Sequence, residues 1–97
     1  MAQASSEQAA GAATATVTLP EGVDLHARPA ADFVRAAMGF SAAIQVAVNG
    51  READAKSLLT VLALGAKGGT ELHLTAQGDD AGAALEALRD RVTTLSD

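Results

Sequence analysis

A chain of 97 residues is long enough for one small domain, which buries roughly two thirds of the surface that the unfolded chain exposes. Aromatic residues make up 2% of the sequence and there is no cysteine, so Ala, Leu and Val must supply the core, while disulfides and thiolate metal sites are excluded. A net charge of -5 argues against nucleic acid or an anionic membrane as a partner. The sequence shows neither a long apolar run nor a signal peptide, so we expect a cytoplasmic protein.

Composition divides the sequence into a leader, residues 1–13, and a domain, residues 14–97. The leader is rich in Ala, Gln and Ser without any period, and we predict that it is disordered. Residues 14–19 then alternate strictly between polar and apolar side chains, which predicts a half-buried strand.

The period becomes helical from Ala27, with Pro29 in the first turn, where its missing N–H costs little. The predicted apolar stripe of this helix comprises Ala30, Phe33, Val34, Ala37 and Met38. Alternation returns over residues 44–48 and is followed by Asn49-Gly50, the strongest short signal for a tight β-hairpin. A short return strand over residues 51–54 completes this hairpin.

In the second half of the domain, helical and strand patterns again follow one another. Residues 58–64 form a brief predicted helix with Ser57 as its N-cap and Gly65 as its left-handed stop. A fourth strand covers residues 70–75, and either Asp79 or Asp80 caps a last helix. Its predicted apolar stripe comprises Ala81, Ala84, Leu85, Leu88, Val92 and Leu95.

The predicted order is βαββαβα, which is an α+β fold with two layers. Each strand has one apolar face, so we expect a four-stranded antiparallel sheet with its helices on one face and water on the other. The helix over residues 58–64 leaves two alternatives open. It is either fully buried under a loop, or it exposes Leu58, Leu59 and Leu62 as a docking surface.

His26 lies at the start of the first predicted helix, two residues before Arg28. A helix start has unpaired N–H groups and the positive end of the macrodipole, so it binds anions. A neutral imidazole can attack phosphorus, and Arg28 can compensate the charge of the adduct. The alternatives are a capping or surface histidine and a solvated arginine. Taken together, the residues favour a phosphoryl acceptor.

Two motifs resemble a known family. The segment Leu25-His26-Ala27-Arg28-Pro29-Ala30 resembles the active-site signature of HPr, the histidine-containing phosphocarrier of the bacterial phosphoenolpyruvate:sugar phosphotransferase system. The segment Ala55-Lys56-Ser57-Leu58-Leu59 resembles the regulatory-serine segment of the same family. The resemblance covers about residues 14–95 and implies an HPr-like open-faced β-sandwich with three helices on one face of the sheet.

The resemblance implies a carrier without turnover of its own. His26 would accept a phosphoryl group on Nδ1 from phospho-enzyme I and pass it to the IIA domains of sugar permeases, and Arg28 would steady it. Partners of this family dock on the first two helices, which here would present Ala31, Arg35, Leu58, Leu59 and Leu62. The implied carrier needs no cofactor or metal, and we expect a monomer.

Two alternatives to the sugar carrier remain open. In the Gram-positive branch of the family the serine matching Ser57 is phosphorylated by an HPr kinase, so the chain could be a regulatory binding module of the same fold. A carrier in a nitrogen-related phosphotransferase branch is the second alternative. The serine therefore has two interpretations, a helix cap and a kinase target.

Three further residues need an interpretation. Asp24 replaces the Gly that is usual in the family, and we expect a carboxylate near the phosphoryl group to alter phosphohistidine stability. If Gly stands there because φ is positive, Asp is among the few residues that tolerate the same conformation. His73 alternates with Leu72 and Leu74, which places it on the open face of the sheet, and two distant histidines make a poor metal site.

Overall fold

The computed structural model describes residues 11–96 and has four strands and three helices. In chain order these are β1 (Ala12–Thr18), α1 (Ala27–Ala37), β2 (Ala43–Val48), β3 (Arg51–Asp54), α2 (Leu58–Leu64), β4 (Glu71–Gln77) and α3 (Ala81–Thr93). The strands form one antiparallel sheet in the order β1-β4-β2-β3. The predicted order of elements and the α+β fold class are confirmed.

One face of the sheet supplies half of the core. Along β2 and β4 the buried side chains alternate with exposed or half-buried ones, as the sequence predicts. The inward set consists of Ile44, Val46, Val48, Leu72, Leu74 and Ala76. The helices α2 and α3 contact this sheet directly, and α1 packs against both of them with its buried side chains in the same core cluster. The stripe predicted for α3 is buried throughout. The opposite face is therefore left open to water.

The β2–β3 hairpin forms at the predicted Asn49-Gly50 turn. Both residues have positive φ, 52° and 83°, which is the backbone of a type I′ turn. Val48 then faces Arg51 in the register, so only the two turn residues separate the strands. Local turn chemistry alone fixes this pairing.

The structure corrects several predicted boundaries, and β4 ends at Gln77 instead of residue 75. β1 begins at Ala12, because the backbones of Ala12 and Ala13 pair with β4 although their side chains show no alternation. The predicted start of this strand at residue 14 is therefore two residues too late, and residues 1–10 of the predicted leader lie outside the described part of the chain. Met38 is the C-cap of α1 and is 64% exposed, so it does not belong to the buried stripe.

The structure also corrects the role of Asp80. It occupies the N-cap position of α3, but its side chain makes no capping hydrogen bond. The carboxylate accepts hydrogen bonds from the backbone N–H groups of Ser41 (2.9 Å) and Ala42 (2.8 Å) instead. Gly78 makes this approach possible, since a Cβ there would lie 2.8 Å from the Cα of Ala42. The Asp80 carboxylate therefore joins two loops that are distant in sequence and does not cap α3.

This contact makes stability sensitive to acid. The hydrogen bond from Ser41, followed by that from Ala42, holds the pKa of Asp80 below its ordinary value. The folded pKa is depressed, so the stabilisation is present at neutral pH and is lost as the pH falls through about 4 and below. We expect Asp80→Asn to be less stable than the unmodified protein at pH 7 and to converge with it at low pH, in urea unfolding followed from pH 7 downwards.

Asp79→Asn is the matched control, because it removes the same charge one residue away from these hydrogen bonds. Its stability should follow that of the unmodified protein at every pH. A constant offset between Asp80→Asn and the unmodified protein across the whole pH range would contradict the assignment.

Candidate functional site

His26 occupies the N-cap position of α1, as the sequence predicts. Its backbone is extended (φ -140°, ψ 169°), and its exposed side chain makes no capping hydrogen bond. The backbone is fixed on both sides, since His26 N–H donates to the Asp24 carbonyl (2.9 Å) and its own carbonyl accepts from Ala30 N–H (3.4 Å). The imidazole is thus held at the start of a helix without being used to stabilise it.

The first turn of α1 offers donors beside this imidazole. Within residues 11–96 the backbone N–H groups of Ala27 and Arg28 have no acceptor, and Pro29 has no N–H. Arg28 is exposed, and over the same range its guanidinium forms no ion pair. Two free amides, the exposed Arg28 and the positive end of the helix dipole therefore lie at the same helix start as His26, where they favour an anion.

Ala27 carries the backbone strain of the site. Its φ is 46°, in the left-handed region that residues with a Cβ seldom adopt, at a cost of about 1 kcal/mol. The buried residues Leu25 (1% exposed) and Pro29 anchor the chain on either side, and Leu25 N–H donates to the Ala66 carbonyl (2.8 Å). Asp24 does not have the positive φ that a glycine at its position could have indicated, and the strained torsion lies three residues later.

The carboxylate of Asp24 is engaged by a second loop. Its Oδ1 accepts a hydrogen bond from the backbone N–H of Gly68 (2.8 Å), and its Oδ2 lies 3.9 Å from the ammonium of Lys67. The residue directly before the His26 turn is therefore tied to the connection between α2 and β4. No pattern local to Asp24 in the sequence indicates this contact.

α2 resolves the two alternatives that its sequence left open. Val61 and Leu64 are buried, whereas Leu59 is 81% exposed, Leu58 is 40% exposed and Leu62 is half-buried. We call Leu58, Leu59 and Leu62 the apolar patch. The helix α2 packs against α1, so the patch lies on the same layer as the helix that begins at His26. An exposed apolar patch on a small protein is a candidate docking surface.

The two predicted docking residues on α1 are also accessible. Ala31 is half-buried, and Arg35 is exposed and forms an ion pair with Asp32 (3.3 Å) within the same helix. Such an exposed pair contributes little to stability, so Arg35 remains available to a partner. Met38 was missed as a surface residue, and the Gly39 that follows it was the sequence signal that the helix ends there.

Ser57 is confirmed as the N-cap of α2. Its side chain accepts a hydrogen bond from Thr60 N–H at 3.4 Å, a long contact, and Gly65 ends the helix with φ 63°. The neighbouring Lys56 donates from Nζ to the Phe40 carbonyl (2.7 Å), which ties this turn to the end of α1. The half-buried serine therefore lies next to the exposed Leu58 and Leu59.

The other histidine lies away from this region. His73 is exposed on the open face of the sheet, with Nε2 at 3.5 Å from Glu71 Oε1. In the described chain no group of His, Cys, Asp and Glu side chains could hold a metal ion. None of the helices within residues 11–96 is long and apolar enough to cross a membrane.

Comparisons with known proteins agree on one protein family. The family model described as the PTS HPr component phosphorylation site matches residues 13–94. Phosphocarrier protein HPr of Buchnera aphidicola is 40% identical over 79 residues, which are 81% of this chain and 91% of that protein. The crystal structure of HPr-C-His from Thermoanaerobacter tengcongensis has a TM-score of 0.81 at 36% identity and covers 84% of this chain and 92% of that one.

A larger protein also contains a similar region. The multiphosphoryl transfer protein of Xanthomonas campestris is 43% identical over 81 residues, or 84% of this chain. The chain spans 9% of that relative's length. The shared unit is therefore the small domain, and it occurs both alone and within a longer phosphoryl-transfer protein.

Proposed function

The chain belongs to the HPr family of phosphocarriers of the bacterial phosphotransferase system, and we propose that His26 is the residue that carries its phosphoryl group. Members of this family carry a phosphoryl group between other proteins and are not independent catalysts. The observation that carries the proposal is the exposed imidazole at the N-cap position of α1, which makes no capping hydrogen bond. Its ring nitrogens are therefore available for covalent chemistry.

The transfer is a displacement at phosphorus. A neutral imidazole nitrogen of His26, which we assign as Nδ1, forms the new N–P bond with its lone pair. The bond between phosphorus and the donor group of enzyme I breaks, and its electron pair leaves with the donor. Onward transfer to a IIA domain is the same step with His26 as the leaving group. No bond to carbon changes, so positioning and charge compensation are the main demands.

The charge on the carried group explains the donors around it. A phosphoryl group on a side chain bears between one and two negative charges at neutral pH. The N–H groups of Ala27 and Arg28 and the helix dipole favour an anion at this end of α1. The guanidinium of Arg28 supplies a full positive charge and paired donors, which match the geometry of phosphate oxygens.

We predict that Arg28→Ala lowers the initial rate of phosphorylation by about 10- to 100-fold, because the variant loses a hydrogen bond to a charged group. The phosphorylation rate of Arg28→Lys should lie between those of the unmodified protein and Arg28→Ala, because lysine keeps the charge but not the paired donors. Arg89→Ala removes an exposed arginine from α3 and serves as the control. A rate for Arg28→Ala equal to that of Arg89→Ala would contradict the role of the guanidinium.

The apolar patch is the surface on which we place both partners. Enzyme I and a IIA domain would cover Leu58, Leu59 and Leu62 together with Ala31 and Arg35 of α1. Supporting this, the exposed apolar side chains and the imidazole belong to two helices in contact with each other. We further propose that the chain acts as a monomer, because the same patch then contacts enzyme I and the IIA domain in turn. We also propose that it acts in the cytoplasm.

Ser57 offers a means of controlling this docking. Phosphorylation by an HPr kinase would place a dianion at the first turn of α2, where the helix dipole favours it. The same dianion would lie beside Leu58 and Leu59, where a docked partner excludes water. Modification of Ser57 would therefore weaken docking without unfolding the helix.

The proposal is tested by incubating the protein with phosphoenolpyruvate and enzyme I and measuring its intact mass. We expect the mass to rise by one phosphoryl group and to return to its starting value after brief acid treatment, because the N–P bond of phosphohistidine is acid-labile. An unchanged mass, or an adduct that survives acid, would contradict a phosphohistidine carrier.

A further inference from the structure

Two loops that are distant in sequence meet directly before His26. Gly68 N–H donates to Asp24 Oδ1 (2.8 Å), a contact that spans 44 residues. The next residue, Leu25, donates its N–H to the Ala66 carbonyl (2.8 Å). The segment that enters the His26 turn is therefore held by one side-chain and one backbone hydrogen bond to the same connection between α2 and β4.

Close packing shows that this approach is built into the fold. A Cβ at Gly68 would lie 2.7 Å from the backbone nitrogen of Gly22 and 2.9 Å from the Pro20 carbonyl oxygen. Neither backbone atom could move without disturbing the loop that leads to Asp24. A residue with a side chain could not stand at position 68 and still bring its backbone amide to the Asp24 carboxylate.

The hydrogen bond matters more than the ion pair at this contact. The Lys67 side chain is 79% exposed and its ammonium is 3.9 Å from Oδ2, and exposed pairs of this kind contribute little. The amide of Gly68 donates at an ideal distance to a charged acceptor in a partly buried place, which is a stronger arrangement. The carboxylate thus acts here mainly as a hydrogen-bond acceptor.

Fixing Asp24 also fixes the residue that we propose as phosphoryl acceptor. The Asp24 carbonyl accepts the N–H of His26 (2.9 Å), and the strained Ala27 follows immediately. A strained torsion persists only where its surroundings hold it in place. We propose that Asp24 is a positioning residue, whose carboxylate clamps the loop over residues 20–26 to the loop over residues 66–69 and so presents His26 and the amides of the first turn in one arrangement.

The inference rests on the proposed function, and one pair of variants tests it. Asp24→Ala removes the acceptor, whereas Asp24→Asn keeps an oxygen at Oδ1 and loses only the charge. We expect Asp24→Ala to slow phosphorylation by enzyme I about fivefold, the worth of one hydrogen bond. Asp24→Asn should retain a rate within about twofold of the unmodified protein, and so should the control Lys67→Met.

Amide hydrogen exchange provides a readout that needs no phosphoryl transfer. Exchange of the Gly68 N–H should be much faster in Asp24→Ala and only slightly faster in Asp24→Asn, which keeps a neutral acceptor. Unchanged exchange in Asp24→Ala would overturn the clamp, and faster exchange with an unchanged phosphorylation rate would overturn its positioning role. If the proposed function itself failed, no variant would be phosphorylated, yet the exchange data would still report on the clamp.

A direct electrostatic effect of Asp24 on the phosphoryl group gives a different pattern. In that case Asp24→Ala and Asp24→Asn would change the hydrolysis rate of the phosphoprotein equally, since both remove the negative charge. Equal effects of the two variants on hydrolysis and on phosphorylation would overturn the proposal in favour of charge repulsion.

Discussion

His26→Ala is expected to abolish formation of the acid-labile phosphoryl adduct while leaving the fold intact. The side chain is exposed and makes no capping hydrogen bond, so its removal costs the fold little, within about 0.5 kcal/mol for a surface position. The loss of phosphorylation should be complete, because no neighbouring group can replace a covalent acceptor. Intact mass after incubation with phosphoenolpyruvate and enzyme I measures the adduct, and thermal unfolding measures the fold.

His73→Ala is the matched control for this experiment. It removes the only other histidine, which is exposed on the open face of the sheet with Nε2 3.5 Å from Glu71 Oε1. The variant should be phosphorylated at the rate of the unmodified protein. An adduct that persists in His26→Ala, or disappears in His73→Ala, would contradict the assignment of His26.

Leu59→Asp has the second largest expected effect, on docking. Leu59 is 81% exposed, so no core contact is lost. It lies in the first turn of α2, where a negative charge is favourable, so stability should be kept. A charge in the centre of a docked apolar surface costs at least about 2 kcal/mol, and we expect the dissociation constant for enzyme I to rise by about 30-fold or more.

The control for Leu59→Asp is Ala83→Asp. Ala83 is an exposed residue in the first turn of α3, so the substitution adds the same charge at a similar helix position away from the patch. Titration calorimetry with enzyme I should give the unmodified affinity for Ala83→Asp. Equal affinities for Leu59→Asp and Ala83→Asp would contradict docking on the apolar patch.

Local patterns in the sequence were sufficient for most of the fold. The Asn49-Gly50 turn, the Ser57 cap and the Gly65 stop each depend on neighbours along the chain, and each is confirmed. His26 was placed at a helix start for the same reason, since Pro29 and the apolar period that follows fix where α1 begins. Elements and turns whose cause is local can be predicted from one sequence.

The errors share a physical cause as well. Asp79 or Asp80 was expected to cap the last helix, yet the Asp80 carboxylate accepts hydrogen bonds from the backbones of Ser41 and Ala42, about 38 residues away. The carboxylate of Asp24 binds an amide 44 residues away, and the strained torsion is at Ala27. Contacts between loops depend on how the layers pack, so the nearby sequence carries no signal for them. Such contacts are nevertheless what shapes the surroundings of His26.

The most direct test of the account is to locate the phosphorus in the phosphorylated protein. Phosphorus–nitrogen and proton–nitrogen correlation spectra of a nitrogen-15-labelled sample identify the ring atom that bears it. The account predicts a single phosphoryl group bonded to Nδ1 of His26, next to the first turn of α1. Phosphorus on Nε2, on His73 or on Ser57 after transfer from enzyme I would contradict it.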